Sequence, residues 1–425
     1  MVQINKFNKF KIRNSIRWRL FWAPWQELDW QLLFLTVGLT LFGAVMIRSA
    51  AIDNPENYWL SHLLIGSIGL FIALFISRSR YQSLIQWHWL IYGITNLSLI
   101  AVMMIGASAK GAQRWVTIGG FNVQPSEFAK IGLIITLAAI LHKRPATSIP
   151  AVIAALAVTI LPWALVFGQP DLGTSLVFGA ITLSMLYWAN ANPAWLVVLI
   201  SPLVSAIVFS ISSPAWYTWA AVITLIAFLS LPWRWLGALG TLVINLVVGP
   251  LGKVFWNLLK DYQKDRLTLF LNPDLDPLGG GYHLIQSRIG IGAGQLWGRG
   301  LNQGTQTQLH FIPEQHTDFI FSAIGEELGF VGCLCILLAL WWLCLRLVLI
   351  AQNAKDNFGS LVTIGVLSMI VFQTVINIGM TIGLAPITGI PLPLLSYGRS
   401  ALLTNFLGLG LAQAVANYRQ RLKFQ

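Results

Sequence analysis

The chain has 425 residues, with 27 Lys and Arg against 15 Asp and Glu, so charged residues make up 10% of it where a soluble globular protein carries about 25%. With 56% hydrophobic residues, a water-soluble fold would expose far more apolar surface than soluble monomers tolerate. A soluble globular enzyme is therefore excluded, and the bilayer is the expected solvent. The net charge of +12 would point to nucleic acid in a soluble protein, but in a membrane protein the position of the charges has to be read first.

The residues up to about Pro24 are basic, with Lys6, Lys9, Lys11, Arg13, Arg17 and Arg19, and lack the apolar core that directly follows the charges of a signal peptide. They read as a cytoplasmic tail, residues 1–28. From Trp30 onward, apolar runs near the ~20 residues that cross a bilayer recur about twelve times: 30–48, 59–77, 84–105, 126–141, 150–167, 174–189, 194–211, 215–231, 235–256, 322–350, 360–384 and 400–417. Only Ser212, Ser213 and Pro214 separate 194–211 from 215–231, which leaves a tight hairpin or one broken helix.

Alternating these spans from a cytoplasmic N-terminus gives a charge test. Sixteen cations fall inside: the six of the tail, Arg78, Arg80, Lys143, Arg144, Arg234, Arg346, Lys355, Arg419, Arg421 and Lys423. Short outer loops hold four, Arg48, Lys110, Arg114 and Arg399. That bias predicts an all-α polytopic membrane protein with both termini in the cytoplasm. Most of the positive charge is then a topology signal, and Trp18, Trp22, Trp25 and Trp30, or Trp233 and Trp235, suit the headgroup level.

The expected parts are the basic tail 1–28, transmembrane helices over 29–256, a large extracytoplasmic loop over 257–321, further transmembrane helices over 322–417, and a cytoplasmic tail 418–425. The loop collects charge. Eight of the fifteen acids lie in or just after it, namely Asp261, Asp265, Asp274, Asp276, Glu314, Asp318, Glu326 and Glu327. Its interleaved apolar residues argue for order, with a helix around His283 to Ile291. Cys333, Cys335 and Cys344 all sit in one apolar stretch, which leaves neither a disulfide framework nor a four-ligand zinc site. They read as apolar fillers, Cys333 and Cys335 on different helix faces.

Two loop-to-span junctions concentrate chemistry. In FIPEQHTDFIFSAIGEELGFVG, Pro313 and Thr317 suit a helix start, which places Asp318 near a helix N-terminus at the outer boundary. A carboxylate there either caps the helix or serves as a base. Glu326 and Glu327 lie deeper and read as structural. In GAQRWVTIGGFNVQPSEFAKIGL, Pro125 and Ser126 open a helix on which Glu127 and Lys130 stand three apart and can pair. Arg114 and Trp115 suit an anionic or sugar-bearing headgroup, or simply the interface. GIPLPLLSYGRS, Gly389 to Ser400, breaks a helix at the outer face, and Arg48 and Asp171 face outward at span ends. Polar groups thus cluster on one side of the membrane, as an outward site for an amphipathic substrate requires. No GxxxxGK[ST] motif occurs; glycosyl transfer from a lipid-linked diphosphate sugar needs none, only a base and cations.

The blocks GAQRWVTIG with QPSEFAK, QPDLGT, YQKDRLTLFLNPDLDPLGGGYHLIQS, PEQHTDFIFSAIGEELG and TIGLAPITGIPLPLLSYG resemble the SEDS family (RodA/FtsW), its RodA branch more than its division branch. The resemblance implies a ten-helix core, here with an extra hairpin, and a peptidoglycan glycosyltransferase in the bacterial cytoplasmic membrane. Such an enzyme polymerises lipid II on the outer face for cell elongation and cell shape. It also implies a class B penicillin-binding protein (transpeptidase) and the elongation machinery as partners, besides membrane lipids and no nucleic acid. Asp318 matches the essential acid of the HTDFIF motif and is expected to be the general base. Trp115, Arg114, Glu127, Lys130, Arg48, His316 and Ser396 are the expected substrate-binding residues. The family's SYGG reads Ser396, Tyr397, Gly398, Arg399 here, and its GSGG reads Gly292, Ala293, Gly294, Gln295. A divalent cation (Mg or Mn) near the diphosphate would suit the chemistry, although no compact ligand cluster identifies one. The alternatives are a lipid II flippase, which needs polar groups through both leaflets, and a scaffold that would tolerate loss of Asp318.

Overall fold

The computed structural model describes residues 28–51, 57–109, 112–118, 121–258 and 261–420. The expected basic tail up to Glu27, with Trp18, Trp22 and Trp25, and Lys110, Arg421 and Lys423 lie outside the described residues. In chain order the elements are α1 Trp30–Ala50, α2 Tyr58–Ser77, α3 Leu84–Ile105, β1 Ala107–Ala109, β2 Ala112–Ile118, β3 Phe121–Val123, α4 Pro125–Lys143, α5 Ile149–Gly168, α6 Leu172–Trp188, α7 Pro193–Ile211, α8 Ser213–Ser230 and α9 Arg234–Leu258. Then come α10 Asp261–Leu271, α11 Tyr282–Ala293, α12 Thr305–Gln308, α13 Ile320–Gln352, α14 Asn357–Ile382 and α15 Arg399–Gln420.

Among the described residues, ten helices are long and apolar enough to cross a membrane. The two remaining expected spans are also helices: α6, apolar but only 17 residues long, and α15, of 22 residues. The chain is a multi-pass membrane protein. The 194–231 stretch resolves into two helices. Ser212 is extended between them, and three tryptophans staple them antiparallel: Trp216 Nε1 donates to Ser205 Oγ, Trp219 Nε1 to the Ser201 carbonyl and Trp195 Nε1 to the Ser230 carbonyl.

Helix starts follow their side chains. Asp29 accepts from Leu32 N–H, Asp171 from Thr174 N–H and Asp356 from Gly359 N–H, each satisfying an otherwise orphan amide. Polar contacts then tie the helices at two opposite ends. At one end Asp29 pairs with Arg346, Tyr81 OH donates to Asp356, Asn417 to the Ser77 carbonyl, and Trp188 Nε1 to Ser360. At the other, Ser49 meets Glu327, Gln124 N–H donates to Ser400 Oγ, and Arg114 meets Asp171. The first end carries Arg78, Arg80, Lys143, Arg144 and Lys355.

The expected all-α fold needs one amendment. The loop carrying Arg114 and Trp115 is a small antiparallel sheet of order β1-β2-β3, with Ala107 opposite Trp115 and Val116 opposite Val123. The β-branched VTI run before Gly119 and Gly120 was the hairpin signal. A second amendment concerns the expected span 322–350, which is a longer helix broken at Gly329, where φ is 65°. The expected helix in the long loop is present as α11. Cys333 is buried and Cys335 exposed, on different faces as their spacing implies.

Candidate active site

The sheet, α4 and α6 meet the irregular segment after α14 around a small polar cavity of about 90 Å³. Arg114 and Trp115 line it from β2, Gln124, Glu127 and Lys130 from the start of α4, Asp171 from the cap of α6, and Gln373 from α14. Lys130 Nζ lies 2.7 Å from Glu127 Oε2, and the two are 1% and 4% exposed. Removing two charges from water costs several kcal/mol per ion, so each side chain needs the other. Arg114 donates through Nε to the Gln169 carbonyl at 3.1 Å and also to the Pro170 carbonyl. Its guanidinium stands 3.8 Å from Asp171 Oδ1. Gln124 completes the ring, its Nε2 donating to Asp171 Oδ2 at 3.2 Å.

Asp318 lies behind one wall of this cavity, two residues before the first residue of α13, as its sequence context predicts. Gly389, which lines the cavity, has φ 73°, and a Cβ on it would sit 3.4 Å from Asp318 Oδ2. The carboxylate therefore rests against a backbone position whose left-handed conformation favours glycine. Asn377 Nδ2 fixes the arrangement, donating at 2.8 Å to both the Asp318 and the Ile390 carbonyls.

Three expected residues sit elsewhere. Arg48 lies over the Trp59 ring, 5.5 Å from its centroid. His316 stacks on Tyr58 at 4.6 Å, with Tyr397 beside both. Arg399 donates through Nε to Tyr397 OH at 2.9 Å, so this departure from the family pattern belongs to the aromatic cluster. Ser396 is buried, its hydroxyl accepting Leu392 N–H at 2.8 Å, which pins the turn before α15. Glu326 accepts from Gln306 N–H, Thr307 N–H and Thr307 Oγ1, and Glu327 from Ser49 Oγ. Glu326 holds the 306–307 stretch, and Glu327 the end of α1, onto α13.

Sequence reasoning missed Gln124, Gln373 and Asn377. Gln373 and Asn377 are polar residues four apart in an otherwise apolar span, a spacing that puts both on one inward face. Gln373 is 2% exposed, and its Oε1 accepts no hydrogen bond among the described residues. A buried carbonyl left without a donor at a cavity wall is suited to a polar occupant.

The family profile for FtsW, RodA and SpoVE, described as "Cell cycle protein", matches residues 29–221 and 213–421. The Escherichia coli (strain K12) protein named "Peptidoglycan glycosyltransferase MrdB" is 34% identical over 409 residues, covering 95% of this chain and 97% of that one. Among solved structures, a chain from "Structural coordination of polymerization and crosslinking by a peptidoglycan synthase complex" superimposes with a TM-score of 0.71 and 29% identity, covering 93% of this chain and 99% of that one. The Thermus thermophilus rod shape determining protein RodA superimposes with a TM-score of 0.61 and 25% identity, covering 92% of this chain and 98% of that one. The profile spans the polar cavity, Asp318 and the segment between α14 and α15, and the chain belongs to the FtsW, RodA and SpoVE family.

Proposed function

We propose that the chain polymerises lipid II into glycan strands on the outer face of the bacterial cytoplasmic membrane, for cell elongation and cell shape. It is an enzyme, a peptidoglycan glycosyltransferase, with lipid II as both donor and acceptor. It crosses the membrane twelve times, with both termini cytoplasmic and residues 257–321 outside; the basic tail 1–28, the helical parts 29–256 and 322–417, and the tail 418–425 complete it. The observation that carries the reading is the placement of the Asp318 carboxylate against Gly389, which lines the cavity that Arg114, Trp115 and Lys130 also line.

In this reading Asp318 takes the proton from the acceptor's 4-hydroxyl as that oxygen attacks the donor's anomeric carbon. The bond to the diphosphate breaks, and the polyprenyl diphosphate leaves with the electron pair. Arg114 and Lys130 face the charge that develops there, Glu127 holds Lys130 in place, and Trp115 offers a face for a sugar. Arg48 and His316 guide the substrate from the aromatic cluster, and Ser396 acts from behind by holding the turn. Among the described residues no group of three His, Cys, Asp or Glu could hold a metal ion. The cavity's carboxylates are already paired with Lys130 and Arg114, a donor set that does not fit a resident divalent cation, and no step is derived through one. A class B penicillin-binding protein and the elongation machinery are the partners this activity needs.

The test supplies lipid II to the purified chain with its cognate penicillin-binding protein and measures glycan polymer. Wild-type polymer with none from Asp318→Ala supports the assignment, and equal polymer from both removes it. No polymer but leaflet exchange of lipid II in liposomes would establish the flippase instead. A cysteine at Pro214 should label from outside; labelling only from the cytoplasm refutes twelve crossings.

A further inference from the structure

The charged groups around the small polar cavity hold one another. Lys130 pairs with Glu127, and Gln124 and Arg114 both stand against Asp171. Gln373, on the α14 wall of the same cavity, differs. It is 2% exposed, and its Oε1 accepts no hydrogen bond among the described residues. Burying an amide in this way costs stability that a leucine at the same place would not.

The surroundings of Gln373 describe what it could bind. Asn377, one turn on, fixes the Asp318 carbonyl, so Gln373 stands about 6 Å from that residue along α14, on the same face. Arg114 and Lys130 line the cavity with it, and so do the apolar Val177 and Ile390. At about 90 Å³ the space takes a few waters, and therefore a substituent of a sugar rather than its ring. An amide carries an acceptor and two donors, so it pairs with another amide in either orientation. An acetamido group supplies that second amide, and its methyl suits Val177 and Ile390. In lipid II the sugar that bears the diphosphate carries a 2-acetamido group, on the carbon next to the one under attack. Neighbouring diphosphate and acetamido groups call for cations and an amide in one cavity, which is the set found here.

We infer that Gln373 binds the 2-acetamido group of the diphosphate-bearing sugar, selecting N-acetylated donors and orienting their anomeric carbon. The inference rests on the glycosyltransferase reading and names the part of the substrate that this wall reads.

Two substrates separate binding from packing: lipid II, and an analogue with a hydroxyl in place of the 2-acetamido group on that sugar. Wild type should prefer lipid II in kcat/KM by about tenfold to hundredfold, the effect of leaving one buried amide unpaired. In Gln373→Leu the preference should shrink to about threefold or less, through loss with lipid II alone. Gln373→Met, of nearly equal length, repeats the measurement should the leucine variant fold poorly. Thr374→Val is the control. The Thr374 hydroxyl is also buried without a partner among the described residues but does not line the cavity, so its removal should leave the preference at the wild-type value. No preference in the wild type, equal losses on both substrates in the Gln373 variants, or an undiminished preference there would overturn the inference and leave the polymerase reading standing.

Binding is read separately in nanodiscs, in an Asp318→Ala background that removes turnover. Adding Gln373→Leu should weaken lipid II binding about tenfold and leave binding of the analogue unchanged. That selective loss supports the site even in a chain without polymerase activity. Unselective loss, no loss, or no binding of either substrate refutes it.

Discussion

The helices around the polar cavity and the α7–α9 unit are built on different principles. In the most apolar window of α4, 83% of residues are buried inside the protein, and 61% in α14, against 11% in α7 and 22% in both α8 and α9. The first group meets protein on nearly every side, so its charges pair and its backbone is pinned by Asn377 and Ser396. The second faces lipid and is held by a narrow polar seam, in which Asn245 Nδ2 donates to Ser201 Oγ and Ser205 Oγ to the Asn245 carbonyl. Breaking a hydrogen bond of this kind within a bilayer costs less on average than removing one partner of a buried ion pair. Precise placement of polar side chains belongs to the enclosed helices, and a loosely packed apolar surface to the open ones.

Four substitutions would break or sharpen that contrast. Asp318→Asn keeps the shape and removes the base, and polymer formation should fall by about 10²–10⁴-fold, measured as initial rates with an unchanged melting curve. Lys130→Met strands the Glu127 carboxylate and should cost about 3–5 kcal/mol of stability. The double variant Glu127→Gln, Lys130→Met should regain most of that loss in thermal unfolding while staying inactive. Gly389→Ala forces a side chain into a positive-φ position at about 1–2 kcal/mol, and relief of that strain would shift the backbone that touches Asp318, so its rate should fall by tenfold or more beyond its modest loss of stability. Asn245→Val in the lateral seam should cost about 0.6–2 kcal/mol and leave the maximal polymer rate near wild type. A large rate loss there would show that the two regions are one mechanical unit.

Much of this was legible from residue order. Apolar runs set the helices to within a few residues, because a bilayer demands a fixed length and every backbone group must be satisfied internally. The Glu127 and Lys130 pair followed from their spacing, and Asp318's place from Pro313 and Thr317. What stayed hidden depends on contacts far apart in the chain. The approach of Gly389 to Asp318 joins two spans through Asn377, and no local pattern encodes it. The sheet under Arg114 and Trp115 was missed because surrounding spans made the segment read as a connecting loop, although its β-branched run before two glycines was a usable signal.

The break at Gly329 redraws the depth of the molecule. An unbroken α13 would be about 50 Å long at 1.5 Å per residue, well beyond the hydrocarbon. At the break, the Glu326 and Glu327 carbonyls accept from Arg299 and Gly300 N–H, while Phe330 and Val331 N–H donate to the Gln295 and Leu296 carbonyls. Residues 330–352 alone cover about 34 Å, one bilayer core. The turns carrying Glu326 and Glu327 are thus stitched to the 295–300 segment as a lintel over the span, and the two carboxylates belong to that separate piece rather than to the bilayer-length helix that follows it.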